Sequence, residues 1–196
     1  MSLRHLIVAT LALAAGAVLP ADDQSAGSAG GTAASQSALS QEDHDFVTKA
    51  AVGGLFGVES AKLAQTKKLA PEPQQLAQTI LTDHTAANAE LQAFAQAKGI
   101  DLPTSLDEAH LAKLEELRKL DGSAFEQAFH KAQISAHQTA ITDFTKATKD
   151  SQDTDLRAWA GKTLPTLMMH QKHLESGHGT AHGMEGSSGT HSGYSF

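Results

Sequence analysis

The chain has 196 residues, with 15 Lys and Arg against 22 Asp and Glu, 11 His and no Cys, and its formal net charge is -7. This length allows one domain of ordinary size plus terminal segments. The acidic charge argues against a nucleic acid or an anionic membrane as a partner, because both are bound through clustered Lys and Arg. The lack of cysteine excludes disulfides, thiolate metal sites and thiol catalysis. Aromatic residues make up only 5% of this Ala-rich chain, which predicts an all-α fold.

The first residues have the pattern of a secretory signal peptide. Arg4 precedes an uncharged, largely apolar run at residues 6–19, and small residues follow near Ala17 and Ala21. This run is short for a membrane span. We therefore predict a signal peptide at residues 1–21 and a periplasmic or secreted product with no stable membrane insertion after cleavage. An uncleaved membrane anchor is the alternative.

Two segments of low complexity flank the central part of the chain. Residues 22–39 consist mainly of Ser, Gly, Ala, Gln and Thr, which bury too little apolar surface to offset the entropy of ordering. Residues 177–196 are similar in composition but also carry His178, His182 and His191. We predict a disordered linker at 22–39 and a disordered tail at 177–196.

Residues 40–176 have the apolar periodicity of four long helices and one short helix. Ser40 is expected to cap the first helix and Gly99 to end the second. Ser123 and Glu126 have the spacing of a capping box for the third long helix. The predicted helices run from Ser40 to about Leu69, from Pro73 to Gly99, from Ser105 to Leu120, from Ser123 to about Lys149 and from Asp153 to Ser176. We predict a four-helix bundle whose short helix lies in the connection between the second and third long helices, either across one end or along the length of the bundle.

Each long helix carries one ionisable side chain of a metal-ligand type on its apolar face. These four residues are Glu59, His84, His137 and His170. A hydrogen bond to a neighbour would explain one such residue, but four in one apolar interior favour a metal site. Asp83 lies beside His84 and is expected either to orient an imidazole or to act as an alternative ligand.

The positions of these residues along their helices test whether they lie at one level. Glu59 and His84 are both about 15 Å from the turn that their helices share, at a rise of ~1.5 Å per residue. His137 and His170 differ by roughly 5 residues, or ~7 Å. The first pair is therefore predicted to be level, and the convergence of all four groups stays open.

Several motifs in this chain resemble the family called domain of unknown function 4142 (DUF4142). The resemblance covers residues 41–176, and its most specific part is the run from Asp83 to Asn88 in the order Asp, His, Thr, Ala, Ala, Asn. Leu164-Pro165 followed by His170 is the second most specific part. Further matching positions are Asp45-Phe46, Gly53-Gly54, Glu59, Lys62-Leu63-Ala64, Leu91, Leu120-Asp121-Gly122, Phe125 and His137.

The resemblance implies a ferritin-like four-helix bundle in an exported bacterial protein, without an established biochemical activity. The residues at the matching motif positions are Glu59, His84, His137 and His170. Ser135-Ala136 precede His137 where family members commonly have an acidic residue. The third long helix therefore lacks a carboxylate ligand.

One Glu and three His suit a single divalent ion, which could be zinc, iron, copper or manganese. A diiron site is disfavoured, since it would need two Glu-x-x-His motifs and two further Glu. The leading hypothesis is metal handling or envelope stress. A non-catalytic structural or interaction module with a buried Glu/His hydrogen-bond network is one alternative. A metal-dependent oxidoreductase, which needs an open coordination position, is another. The sequence leaves the oligomeric state open.

The C-terminal histidines are a separate candidate for metal binding. Their imidazoles are expected to capture borderline divalent ions weakly. The alternative is a purely solubilising tail. The histidines concerned are His173, His178, His182 and His191.

Overall fold

The computed structural model describes residues 39–180, with side chains described as far as Ser176. These residues form five helices and contain no strand, so the all-α class with four long helices and one short helix is confirmed. No helix among the described residues is long and apolar enough to cross a membrane. The helices are α1 (Gln41–Thr66), α2 (Pro71–Lys98), α3 (Glu108–Arg118), α4 (Gly122–Asp150) and α5 (Thr154–Thr180).

The described part extends beyond the predicted bundle at both ends. Leu39, which was assigned to the linker, packs against a buried apolar cluster. At the other end, α5 continues to Thr180 instead of ending at Ser176. The predicted signal peptide, the rest of the linker and the rest of the tail lie outside the described residues.

Local capping signals set the ends of α1 and α2. Ser40 Oγ accepts a hydrogen bond from the backbone N–H of Asp43 at 3.1 Å, as expected of an N-cap. Gly99 ends α2 with φ of 68°, a left-handed conformation that glycine adopts at little cost.

The capping box predicted at the start of α4 is wrong. The helix begins at Gly122, and no side chain caps it. Glu126 Oε1 instead accepts a hydrogen bond from the backbone N–H of Ala70 at 2.9 Å. This acceptor therefore joins the first turn of α4 to the α1–α2 turn, a long-range contact that local spacing does not reveal.

Ion pairs between the helices show their relative directions. Glu42 near the start of α1 pairs with Lys146 near the end of α4 at 3.1 Å, so these two helices are antiparallel. Lys98 at the end of α2 pairs with Asp153 just before α5 at 2.6 Å, so α2 and α5 are antiparallel as well.

The connection between α2 and α4 runs the length of the bundle. A short turn makes α1 and α2 antiparallel, and α1 is also antiparallel to α4, so α2 and α4 are parallel. Residues 99–121 must therefore return along the bundle, and α3 lies in this segment against α1 and α4. A long crossover of this kind is the ferritin-like topology.

Among the described residues, two buried apolar clusters lie on either side of a polar layer. One cluster includes Phe144 and Trp159, and the other includes Phe125 and Phe129. On α4, His137 falls between Phe129 and Phe144 and is itself buried. The histidine layer therefore separates the two parts of the core.

Candidate metal centre

Three histidines from three helices meet in this polar layer. His137 Nε2 lies 3.4 Å from His84 Nε2 and 3.3 Å from His170 Nδ1. One ring nitrogen from each histidine lies within 4.8 Å of the others. Two nitrogens at about 2.0–2.1 Å from a tetrahedral ion are separated by ~3.4 Å. The two shortest separations are thus those of imidazoles that share one ion.

Hydrogen bonds on the outer side of two rings determine which nitrogen carries the proton. His137 Nδ1 donates to the backbone carbonyl oxygen of Gln133 at 2.9 Å. His170 Nε2 donates to Asp83 Oδ2 at 2.9 Å. Both partners only accept, so the inward nitrogens of the neutral rings, His137 Nε2 and His170 Nδ1, are unprotonated. Two lone pairs face each other across 3.3 Å, an arrangement that a cation between them would stabilise.

Burial keeps the three imidazoles neutral. Desolvation lowers the pKa of His84 to about 3, with a further contribution from the neighbouring imidazoles. Desolvation also lowers the pKa of His137 to about 4. The pKa of His170 is lowered chiefly by burial, although its hydrogen bond to Asp83 acts in the opposite direction. Near neutral pH all three rings are therefore in the unprotonated form that binds metals.

Asp83 contacts the cluster through one histidine only. Its carboxylate accepts from His170, and its side chain is 34% exposed. A carboxylate behind an imidazole fixes the ring orientation and raises the basicity of the inner nitrogen. This contact is the one expected of a residue that orients a ligand.

Helix α1 approaches the cluster through glycine. A Cβ atom built at Gly57 would lie 2.6 Å from His84 Nδ1, and a Cβ atom at Gly54 would overlap the side-chain amide of Asn88. Only a residue without a side chain allows α1 and α2 to come this close. The two glycines thus make room for His84 and Asn88.

Glu59, the predicted fourth ligand, is not brought to the cluster. Its carboxylate accepts from Lys62 Nζ at 2.8 Å, and its side chain is 39% exposed. Two positions along a helix correspond to a rotation of about 200°, so Glu59 lies on the opposite side of α1 from Gly57. Its expected place on the buried face was wrong, because small residues such as Gly57 and Ser60 form that face.

Two buried residues that support the site were not identified from the sequence. Gln133 Nε2 donates to Ser60 Oγ at 2.6 Å, and the Ser60 hydroxyl donates to the carbonyl oxygen of Phe56. This chain of hydrogen bonds holds α4 against α1 next to His137. In the sequence, only the four-residue spacing between Gln133 and His137 indicates that Gln133 lies near the site. Every helix contains many residue pairs with this spacing, so it does not single out Gln133.

A cavity of about 620 Å³ adjoins the three histidines and is bounded by all five helices. Small residues line much of it, including Gly53 on α1, Ala87 on α2 and Ala136 on α4. The volume is far larger than the share of one water molecule, ~30 Å³. Space therefore remains beside the imidazoles for further ligands of an ion.

The C-terminal histidines lie apart from this cluster as far as they are described. His173 is on the exposed side of α5 and is not one of the three converging residues. The side chains of His178, His182 and His191 lie outside the described residues. The weak tail site stays a prediction.

The fold and this cluster define an all-α bundle of ferritin-like topology with three converging buried or partly buried histidines. The family model described as "Domain of unknown function (DUF4142)" matches residues 28–176, and the chain belongs to this family. The resemblance inferred from the sequence is thereby confirmed, and the match begins within the predicted linker. A comparison with curated proteins found no match.

The solved structures similar to this chain include a DUF305 fragment and CopM. The crystal structure of a DUF305 fragment from Deinococcus radiodurans has a TM-score of 0.66 and 15% sequence identity, and the match covers 74% of this chain and 99% of that chain. CopM in the Cu(I)-bound form has a TM-score of 0.61 and 17% identity, with 72% of this chain and 98% of that chain covered. At these identities the similarity concerns the fold alone.

Proposed function

We propose that this chain is an exported metal-handling protein that holds a single ion at His84, His137 and His170. The observation that carries the proposal is the pair of opposed lone pairs on His137 and His170, 3.3 Å apart. Export is supported by the signal-peptide pattern of residues 1–21.

A metal-free hydrogen-bond network would be incomplete at this site. The protons of His137 and His170 are directed outward to Gln133 and Asp83. His84 is then the only ring of the three with an N–H available for the inner side. The His84 N–H can pair with His137 Nε2, but His170 Nδ1 is then left without a donor among the three rings, which is costly in a buried site. An ion would satisfy all three at once.

Zinc and copper suit this donor set best among the four ions considered. Imidazole nitrogen is a good ligand for both, whereas manganese prefers carboxylate and water oxygens, and non-haem iron commonly uses a carboxylate with two histidines. No carboxylate belongs to the converging group in the described residues. The similar CopM structure contains Cu(I), so copper is one of the ions to test first.

Metal content and thermal unfolding test the proposal directly. We expect one zinc or copper ion per chain at the cluster after expression with export, and a higher melting temperature when the ion is returned to chelator-treated protein. An ion present at 100 times its Kd stabilises the folded state by about 2.7 kcal/mol. Purified protein without an ion, together with a melting temperature that no tested ion raises, would rule the function out.

His137→Leu separates a metal site from a structural network. Leucine has a similar volume, so the variant should lose the ion while its metal-free stability is unchanged or higher. His44→Gln, an exposed position at the start of α1, is the matched control and should retain the ion. If the interior only fixes helix register, His137→Leu and the parent chain will bind equally little metal.

For the C-terminal histidines we propose weak metal capture that is separate from the bundle. Copper or nickel is titrated at neutral pH into the full chain and into a chain that ends at Ser176. Imidazole-dependent binding must fade below a pH of ~6.5, where histidine is protonated. We expect the full chain to bind additional weakly held copper or nickel ions. Equal numbers of ions on the two chains would show that the tail has no part in binding.

A further inference from the structure

The cavity beside the three histidines extends to α3. Its lining includes Asp107 and His110, at the start of that helix. The ring centroids of His110 and Phe56 are 5.2 Å apart, and the next residue of α1, Gly57, faces His84. Consecutive residues differ in height by only about 1.5 Å. His110 therefore lies beside the part of α1 that approaches His84, and both histidines border one cavity.

Asp107 holds His110 in a form that can bind a metal. Asp107 Oδ1 accepts one hydrogen bond from the backbone N–H of His110 at 2.8 Å and another from its Nδ1 at 2.7 Å. The first bond caps α3, and the second leaves Nε2 unprotonated in the neutral ring. His170 also donates to a carboxylate, that of Asp83, but through Nε2, so two imidazole–carboxylate pairs border one cavity. The side chain of His110 is 26% exposed, which makes it accessible to an ion from solvent.

Helix α1 leaves open space in this cavity at Gly53. A Cβ atom built at Gly53 meets nothing within 4 Å, whereas a Cβ atom at Gly57 would lie 2.6 Å from His84 Nδ1. Gly53 and Ala136 both line the cavity, one on α1 and the other on α4. Small residues on the two helices thus keep open the space that His110 and the cluster both border, here called the passage.

We propose that His110, positioned by Asp107, binds the incoming ion first and passes it to His84, His137 and His170; Asp107 and His110 are here called the portal pair. This inference rests on the proposed function of the cluster. The Asp107 carboxylate attracts a cation at the surface, and the single imidazole nitrogen of His110 holds an ion more weakly than the three nitrogens of the cluster. Transfer inward is therefore favourable, and it exchanges imidazole ligands without any change in oxidation state.

The kinetics of metal binding test the portal pair. The full metal-free chain is mixed with Cu²⁺, and the fluorescence of Trp159 reports arrival of the ion, because it is the sole tryptophan and lines the same cavity. Dissociation is followed by competition with a chelator. We expect His110→Gln to lower the association and dissociation rates by the same factor. The Kd and the stoichiometry of the cluster should stay unchanged, since only the path is altered.

Two further variants act on the same passage in different ways. Asp107→Asn retains an oxygen that can cap α3 but removes the charge behind His110, so both rates should fall. Gly53→Leu places a side chain in the open space and should also slow both rates with His110 intact. These variants keep the test valid if His110→Gln folds poorly. His44→Gln, which alters an exposed histidine that does not line the cavity, should leave the rates unchanged.

The outcomes separate the two proposals. If the unaltered chain binds neither Cu²⁺ nor Zn²⁺ in equilibrium titration, the proposed function fails. If it binds Cu²⁺ but His110→Gln and Asp107→Asn load at the unaltered rate, the portal pair is excluded while the cluster stands. A weaker Kd with an unchanged association rate would also overturn the inference, because His110 would then contribute to the final site instead of the path.

Discussion

Gly57 controls how closely His84 approaches α1. Any side chain at this position would overlap the imidazole, since even a Cβ atom would lie 2.6 Å from Nδ1. Glycine inside a helix costs roughly 0.5–1 kcal/mol relative to alanine. The chain therefore accepts a weaker helix at this point in exchange for the position of one histidine.

Gly57→Ala should weaken metal binding by about tenfold or more, because it displaces His84 from the geometry shared with His137. The higher helix propensity of alanine will partly offset the loss of packing. The free energy of unfolding should therefore change less than the free energy of metal binding. Isothermal titration with zinc or copper and unfolding in urea measure the two quantities.

Gly53→Ala is the matched control for this substitution. It lies one helical turn away, and its Cβ atom would meet nothing within 4 Å. It should raise the free energy of unfolding by roughly 0.5–1 kcal/mol and leave the metal affinity unchanged. Similar metal affinities in the two alanine variants would contradict the assigned role of Gly57.

At the level of single helices, α1 shows why the site could be predicted only in part. His84, His137 and His170 could be identified because each interrupts an apolar face, which large residues mark clearly in the sequence. On α1 the inward contacts beside the cluster are made by small residues such as Gly57 and Ser60. Hydrophobic periodicity does not distinguish these from surface residues, and Glu59 was therefore placed on the wrong face.

Helix ends and helix directions depended on different kinds of information. Ser40 and Gly99 act through neighbouring backbone groups, so the sequence was sufficient to place them. The start of α4 depends on a contact between Glu126 and the distant Ala70, which no local pattern contains. The parallel direction of α2 and α4 was likewise hidden, because residues 99–121 are long enough either to cross one end or to return along the bundle.

On the scale of the whole molecule, the three imidazoles lie with Ser60 and Gln133 in a polar layer between two apolar clusters. Burying these rings without a full set of hydrogen bonds costs free energy. Protonation of a buried ring would lower the stability of the folded bundle further. The stability of the bundle should therefore depend on both the bound ion and the pH.

In the metal-free protein, the free energy of unfolding should decrease as the pH falls from about 6.5 to 4.5. The pKa values of His84 and His137 in the folded state are about 3 and about 4, below the ~6.5 of an unfolded histidine. The unfolded chain thus binds protons first, and each such histidine lowers the free energy of unfolding by up to about 1.4 kcal/mol per pH unit in this range. The carboxylates whose pKa values are lowered, such as Asp107 and Asp153, lose their contribution only at lower pH.

Urea unfolding at several pH values with a chelator present measures this slope. The double variant His84→Leu/His137→Leu should have a much flatter profile, and equal slopes for the two proteins would show that the cluster is not the source of the pH dependence.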